Sequence, residues 1–272
     1  MGLLIPGHRR TNHVADERIA SNLEWQRWGD LDPLYGVATV QGKARGAVSP
    51  WRDDEFYLLG KVHWNEFLSH WERYGLDKQC CVEIGCGAGR LTMHIANAFR
   101  VVHALDVSEG MIGYARTRIG AGNVTFHVTD GVRIPLPDRS ATAVFSTHVF
   151  QHFDTVDHGA AYFAEIARVL KPGGTVMVHL PIHRWPIMDG VFDAIYRSRK
   201  TLGHIVARIR RFLLRVGMGS PPMRWLSYSV DYLLDAVPRA GLTDVEVWIF
   251  SPNRDNKDPH PFVLARKQEG LT

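Results

Sequence analysis

The stretch Cys80-Cys-Val-Glu-Ile-Gly-Cys-Gly-Ala-Gly-Arg-Leu-Thr92 decides the fold. Its apolar run ends at Glu83 and passes into three alternating glycines, the last of which is Gly89. This order predicts a buried strand, a tight turn without side chains, and a helix start whose free amides can face a ligand. The spacing does not fit a dinucleotide fingerprint, whose third glycine would fall at Arg90, and a P-loop Lys-Ser/Thr pair is missing.

Two further apolar runs end in acidic residues. The second run ends at Asp106, 21 residues after Gly85, and the third ends at Asp130, which Gly131 follows. Farther along, Leu170-Lys-Pro-Gly-Gly-Thr-Val-Met-Val178 has the pattern of a turn that enters a strand. In this order and spacing, the four elements resemble the class I S-adenosylmethionine (SAM)-dependent methyltransferases. The resemblance covers roughly residues 55–180.

Strand and helix patterns alternate along the centre of the chain, which predicts a parallel sheet with helices on both faces. The resemblance implies an α/β, doubly wound, mostly parallel seven-stranded sheet with an antiparallel last strand and a helical insertion after strand five. The predicted elements are strand 79–84, helix 88–98, strand 101–106, helix 109–118, strands 123–128 and 142–147, helix 155–170, strand 174–180, helix 228–240, and strands 243–250 and 261–266.

The chain divides into an N-terminal arm, residues 1–52, and a methyltransferase domain, residues 53–272, with a basic helical insertion at 181–224. In the arm, a helix is predicted from Val14 to Trp28, followed by an irregular segment, 33–51. The arm's aromatic residues fit two interpretations: the arm is pinned to the domain surface, or it covers the pocket. The next predicted helix, 54–74, has Asp53 and Asp54 as candidate capping residues.

The resemblance implies SAM as the cofactor and S-adenosylhomocysteine as the product. The glycine turn would admit the methionine and ribose parts, and Glu83 would organise the turn. Asp106 would accept the ribose hydroxyls through charge-assisted hydrogen bonds, and Asp130 would accept the adenine amine. The predicted cofactor residues are Glu83, Gly85, Cys86, Gly87, Gly89, Asp106, Val107, Met111, Asp130, Gly131 and Ser146.

Two histidines follow the fourth predicted strand, beside the position of the methyl donor in this fold. His148 and His152 are four residues apart, so they share a face if a helical turn forms. Histidine titrates near neutrality, which makes both residues candidate general bases. The alternative is a packing or hydrogen-bonding role. No metal site is predicted, because a third ligand beside this pair is not apparent from the sequence.

The net charge of +4 is distributed unevenly. Residues 194–230 contain eight Lys and Arg residues and no Asp or Glu, so the remainder carries −4. An amphipathic helix is predicted at 202–216. Three interpretations of its cationic face stay open: a lid over the pocket, adsorption to an anionic membrane, or recognition of an acidic substrate. Nucleic acid is disfavoured, because the segment has few aromatic residues for stacking on bases.

The composition, 45% apolar and 22% charged, is that of a globular protein, and no run of about 18 apolar residues predicts a membrane span. The apolar start is too short for a signal peptide, and the three cysteines lie in or beside the glycine turn, which favours a cytoplasmic location. The expected reaction is methylation of a hydroxyl on a small-molecule, sugar or lipid-linked acceptor. The alternatives are N- or C-methylation of a quinone-type ring and a non-catalytic SAM-fold partner subunit.

Overall fold

The computed structural model of the chain describes residues 11–183, 225–252 and 260–269, with backbone alone for 11–20 and 183. Most of the predicted basic insertion, including the whole helix at 202–216, lies outside these residues and stays a prediction. In the described ranges, no helix combines the length and the apolar character that crossing a membrane requires.

A seven-stranded sheet forms the centre of the described residues. Its strands are β1 Cys80–Ile84, β2 Val101–Asp106, β3 Val124–Val128, β4 Ala141–Ser146, β5 Leu170–His179, β8 Leu242–Phe250 and β9 His260–Lys267. The spatial order is β3-β2-β1-β4-β5-β9-β8. The first five strands pair in parallel, and β9 runs antiparallel to both of its neighbours. This confirms the predicted fold. A separate parallel pair consists of β6 Ile182–His183 and β7 Tyr228–Ser229.

Helices flank the sheet and precede it in the chain. They are α1 Thr11–Leu31, α2 Pro33–Val37, α3 Asp53–Tyr74, α4 Thr92–Ala98, α5 Glu109–Arg118, α6 Val156–Val169 and α7 Val230–Arg239. Hydroxyl side chains cap three of them: Ser108 caps α5, Thr155 caps α6 and Ser229 caps α7. Each hydroxyl accepts a hydrogen bond from an amide of the first turn that has no partner within the helix.

Several element boundaries differ from the prediction. The helix after the glycine turn begins at Thr92 rather than at 88, because Gly87 (φ 53°) and Gly89 (φ 81°) adopt backbone angles that a right-handed helix does not allow. Strand β5 begins at Leu170 rather than at 174, since Leu170 already pairs with Ala141 ahead of a register shift.

The arm and the cap of α3 also depart from the prediction. Residues 33–37 form a short helix rather than an irregular segment, with proline at its first position and the Asp32 side chain accepting from the Tyr35 amide (3.2 Å). The residue that caps α3 is Arg52, without a side-chain hydrogen bond. Asp53 lies in the first turn and accepts instead from Arg118 Nε (3.1 Å), which ties α3 to α5.

Alternate strand residues pack against opposite layers of helices. Phe145 of β4 contacts Trp64, Phe67 and Trp71 of α3, and the adjacent Val144 belongs to the cluster formed with α6 and α7. This period of two follows from the pleat of a strand. Each fully buried aromatic or aliphatic side chain contributes about 1.5–3 kcal/mol to folding. The two layers hold the carboxyl ends of β1, β2 and β4 at one edge of the sheet.

Candidate functional site

A cavity of about 500 Å³ opens at the carboxyl ends of β1, β2 and β4. This edge includes the point where successive strands switch sides of the sheet, since β1 lies between β2 and β4. Ligands of open α/β sheets bind at such a point, and the volume is within the usual range of small-molecule sites. Asn22, Trp25 and Val37 of the N-terminal arm form part of the wall.

The glycine turn forms the floor of the cavity and leaves no room for side chains. A Cβ atom on Gly85 would lie 2.1 Å from Val149 Cγ2, and one on Gly87 would lie 2.4 Å from Val37 Cγ2. Both distances are far below van der Waals contact. The turn therefore presents bare backbone to the cavity, as a site for close approach of a ligand requires.

Asp106 ends β2 and lines the cavity beside Val107 and Met111. Its carboxylate accepts from the amides of Gly87 (2.8 Å) and Ser108 (2.9 Å). Burial raises the pKa of Asp106, and these amide donors act in the opposite direction. A carboxylate has about four acceptor positions, so two remain for the hydroxyl groups of a ligand.

Glu83 and Cys86 also line the cavity, and both are almost fully buried. Glu83 Oε2 accepts from Thr92 Oγ1 (2.6 Å), and desolvation raises the pKa of this carboxyl to about 7. Desolvation likewise raises the pKa of Cys86 well above its ordinary value, so the side chain is a thiol at neutral pH. Glu83 is thus coupled to the loop through Thr92 and can exchange a proton near neutrality.

Three predicted cofactor residues do not line the cavity. Gly89 packs against α5, Ser146 Oγ donates to the buried Ile84 carbonyl (3.0 Å), and Asp130 is exposed. The Asp130 carboxylate accepts from the amides of Val132 (2.9 Å) and Arg133 (2.8 Å). The neighbouring Gly131, by contrast, lines the cavity as part of its wall. The predicted roles of Gly89, Ser146 and Asp130 in cofactor binding stay predictions.

His148 and His152 both line the cavity, although no helical turn places them on one face. His148 has a left-handed backbone (φ 58°) and precedes the single 3₁₀ turn Phe150–His152. Its Nδ1 lies 2.8 Å from Thr147 Oγ1, and burial holds its pKa well below the usual value. His152 Nε2 lies 3.2 Å from Gln151 Nε2, and the Trp25 ring contacts its imidazole edge-on at 4.8 Å.

A family model described as a methyltransferase domain matches residues 82–178, the span from β1 to β5. These residues belong to the methyltransferase-domain family. For these residues, the match confirms the predicted family, the class I SAM-dependent methyltransferases, and SAM as the predicted class of cofactor. Asp106 and the glycine turn lie at or near the carboxyl ends of the first strands of this methyltransferase domain.

Two curated methyltransferases resemble this domain over a limited length. Malonyl-[acyl-carrier protein] O-methyltransferase of Hahella chejuensis is 36% identical over 101 residues, which cover 36% of this chain and 35% of that protein. Fatty-acid O-methyltransferase of Mycolicibacterium smegmatis is 33% identical over 98 residues, 34% of each chain. The match thus spans about a third of the length of these curated relatives.

A solved structure is similar over a greater length. The magnesium protoporphyrin IX methyltransferase of Synechocystis PCC 6803 with bound SAM superimposes with a TM-score of 0.58. The superposition covers 95% of this chain and 100% of that chain at 15% identity. At this level of identity, the similarity establishes the fold of the methyltransferase domain.

Sequence reasoning missed Arg90 and His63, which line the methyltransferase cavity on the side of α3. Arg90 is 6% exposed, and its Nη1 donates to His63 Nδ1 (2.8 Å). Among the described residues, Arg90 Nε is buried without a hydrogen-bond partner. Desolvation lowers the pKa of Arg90 to about 10 and that of His63 to about 3, so a cation faces a neutral imidazole. The adjacent glycine motif was the available signal for Arg90, and His63 had none.

His179 and His260 were also missed. His179 ends β5 and His260 begins β9, and because these strands are antiparallel, both residues lie at the cavity edge of the sheet. One nitrogen from each of His148, His179 and His260 lies within 4.8 Å of the others. Burial lowers the pKa of His179 to about 3, so its ring is neutral at physiological pH. The sequence prediction considered only the pair His148 and His152 and did not identify the two imidazoles beside His148, because they come from distant strands.

Proposed function

We propose that this chain is a SAM-dependent methyltransferase that transfers a methyl group to an oxygen atom of a small-molecule acceptor. The observation that carries the proposal is a shared cavity: Asp106, the bare glycine turn and His152 all line it. An acid that can accept ribose hydroxyls, a backbone cradle and an imidazole in one space could together hold SAM and take the proton of an acceptor hydroxyl.

The described residues fit SAM. Asp106 would accept the ribose hydroxyls with its two remaining acceptor positions, and Val107 and Met111 would contact the adenine. The turn at Gly85 and Gly87, which a Cβ would fill, would lie against the methionine part. When bound, SAM supplies a methyl group on a sulfonium, whose carbon–sulfur bond breaks with its electron pair remaining on sulfur. The protein then has to align the acceptor and remove its proton.

His152 is the better of the two candidate bases. As the acceptor oxygen forms its bond to the methyl carbon, the hydroxyl proton has to move to a base. An amide N–H of Gln151 can only donate, so the 3.2 Å contact favours the tautomer with a lone pair on His152 Nε2. For this lone pair to take the hydroxyl proton, the Gln151 side chain has to turn away and the acceptor hydroxyl has to replace its hydrogen bond. His148 is less suited to this role, because its strongly lowered pKa makes it a weak proton acceptor.

The remaining wall supports an acceptor with apolar and anionic or hydroxyl parts. Trp25, Val37, Leu59 and Trp225 provide apolar surface, and Arg90 provides a buried cation. Both curated relatives described above are named as O-methyltransferases, one of malonyl-[acyl-carrier protein] and one of a fatty acid. We include the N-terminal arm in the acceptor site, since Trp25 and Val37 belong to it.

The proposal is tested by incubating the purified full-length chain with methyl-labelled SAM and fractions of cell extract. Label should enter a small molecule, and the product should be an ether or ester rather than an amine. Alkaline treatment distinguishes an ester from an ether, because the ester releases labelled methanol and the ether keeps its label. Label recovered only on nitrogen or carbon would overturn the oxygen assignment, and no transfer to any fraction would overturn the enzymatic one.

A further inference from the structure

We propose that His148, His179 and His260 form a binding site for a divalent transition-metal ion in the wall of the cavity. Two of the three rings, those of His148 and His260, line the cavity itself. The inference goes beyond the proposed methyl transfer. It rests on the arrangement of three imidazoles and requires no assumption about SAM or the acceptor.

The topology of the sheet brings the three side chains together. His148 follows β4, His179 is the last residue of β5, and His260 is the first residue of β9. The strands β4, β5 and β9 are neighbours, and the reversed direction of β9 places its start beside the end of β5. Three adjacent strands therefore each supply one histidine at the same edge.

The distances approach those of a tetrahedral site. Zinc–nitrogen bonds of about 2.0–2.1 Å imply about 3.3–3.4 Å between two nitrogens of a tetrahedron. His179 Nε2 and His260 Nδ1 are already 3.3 Å apart. The whole group spans 4.8 Å, and the His148 ring stacks on that of His179 with 22° between their planes. Coordination therefore requires the His148 ring to turn towards the other two, through its side-chain torsions.

A neighbouring hydroxyl fixes which nitrogen of His148 would bind. Thr147 Oγ1 lies 2.8 Å from His148 Nδ1, which leaves Nε2 as the ligand atom. Hydrogen bonds of this type to the other ring nitrogen orient most metal-bound histidines. His148 also keeps a left-handed backbone (φ 58°), a conformation that is costly for a residue other than glycine and that concentrates at functional sites.

The donor set selects the class of ion. Among the described residues, the group consists of imidazoles alone. Imidazole suits zinc, copper, iron and nickel, whereas magnesium and calcium prefer oxygen ligands. Three protein ligands leave a fourth position for an oxygen ligand, the arrangement of catalytic rather than structural zinc sites. An acceptor hydroxyl bound there would lose its proton more readily, because a divalent ion lowers the pKa of a coordinated oxygen.

The chain contains a matched histidine pair that serves as a control. His103 Nδ1 and His127 Nε2 are 3.1 Å apart on β2 and β3, without a third histidine in the described cluster. A hydrogen-bonded histidine pair by itself therefore explains that geometry. Comparing the two groups in one experiment distinguishes a pair of hydrogen-bonded rings from a site with three ligands.

The experiment titrates chelator-treated, tag-free full-length protein with cobalt(II), whose visible absorption is intense in four-coordinate sites. We expect one ion per chain in the wild type. His179→Ala and His260→Gln should each weaken binding by more than about 100-fold, a larger loss than the 10–100-fold typical of outer-shell partners. Thr147→Val should weaken it by about 10-fold. His103→Gln should leave it unchanged.

Binding of S-adenosylhomocysteine, measured by thermal shift on the same samples, checks that each variant is folded. The thermal shift also tests the proposed methyl transfer separately from the metal site, since S-adenosylhomocysteine can bind without the ion. Two results would overturn the metal site: no cobalt absorption in the wild type, or absorption that survives both His179→Ala and His260→Gln.

Discussion

The two sides of the cavity are built in different ways. The proposed donor side, with residues between Glu83 and Gly131, comes from a continuous stretch of chain in which Asp106 is held by backbone amides. The proposed acceptor side is assembled from α1, α3, the segment after β4, and β9, with side chains such as Trp25, His63 and His260. Local backbone geometry therefore determines the first side, and tertiary placement determines the second.

This difference implies that substitutions on the two sides should separate cofactor binding from turnover. The largest effect is expected for His152→Gln. Removing a general base lowers turnover by about 10²–10⁴-fold, whereas the affinity for S-adenosylhomocysteine should stay within about twofold. Steady-state kinetics with labelled SAM and isothermal calorimetry measure the two quantities. Equal losses in both would mean that His152 supports the donor side instead.

A substitution in the glycine turn should have the opposite pattern. Gly85→Ala places a methyl group 2.1 Å from Val149 Cγ2, in a backbone conformation with φ 73°. Strain of about 1–3 kcal/mol and the closed turn should weaken S-adenosylhomocysteine binding by at least about tenfold. Gly113→Ala is the matched control, because a Cβ there meets nothing within 4 Å. Similar affinities for both variants in calorimetry would contradict the close-approach role.

The contribution of the arm can be tested at Trp25. Its ring lines the cavity beside His152 (4.8 Å, edge-on), and an aromatic contact of this class with the acceptor would be worth about 0.5–1.5 kcal/mol, so Trp25→Ala should raise the acceptor KM by about 2–12-fold. The SAM KM should not change. Trp248→Ala serves as the control, since Trp248 contacts His70 and Arg73 away from the cavity. An unchanged acceptor KM in Trp25→Ala would remove the arm from the acceptor site.

The stability of the protein in acid should reveal that His63 is buried in its neutral form. The pKa of His63 is lowered from 6.5 to about 3, so its stabilising contribution is present above pH 6.5 and is lost as pH falls towards 3. For one such group, the free energy of unfolding falls by about 1.4 kcal/mol for each unit by which the pH is lowered. The carboxyl of Glu83, with its pKa raised to about 7, acts in the opposite direction between pH 4.5 and 7.

Urea denaturation at several pH values isolates the effect of His63. The difference in unfolding free energy between wild type and His63→Gln should be constant above pH 7 and should change by about 1.4 kcal/mol per pH unit below 6.5. The wild type is the one that loses stability faster in acid. Parallel curves for the two proteins from pH 8 to pH 4.5 would show that His63 does not titrate as its burial requires.

The same contrast explains what the sequence could predict. Alternating apolar runs and terminal acids predicted the sheet and the position of Asp106 at the end of β2, because these depend on local patterns; the role of Asp106 in binding SAM stays a prediction. The boundary of α4 was wrong by four residues, since helix propensity does not reveal that Gly87 and Gly89 have positive φ. His179 and His260 are 81 residues apart in the chain, and only the β5–β9 pairing brings them beside His148.

The proposed methyl transfer depends most on a SAM-binding site at Asp106. The most direct measurement is isothermal calorimetry of S-adenosylhomocysteine with the wild type and with Asp106→Ala, with circular dichroism to confirm folding. We expect binding to the wild type and a loss of affinity of more than about 100-fold in the variant, since two charge-assisted hydrogen bonds of about 1.5–3 kcal/mol each disappear. No binding to the wild type at millimolar ligand, or equal affinity in both proteins, would contradict this expectation.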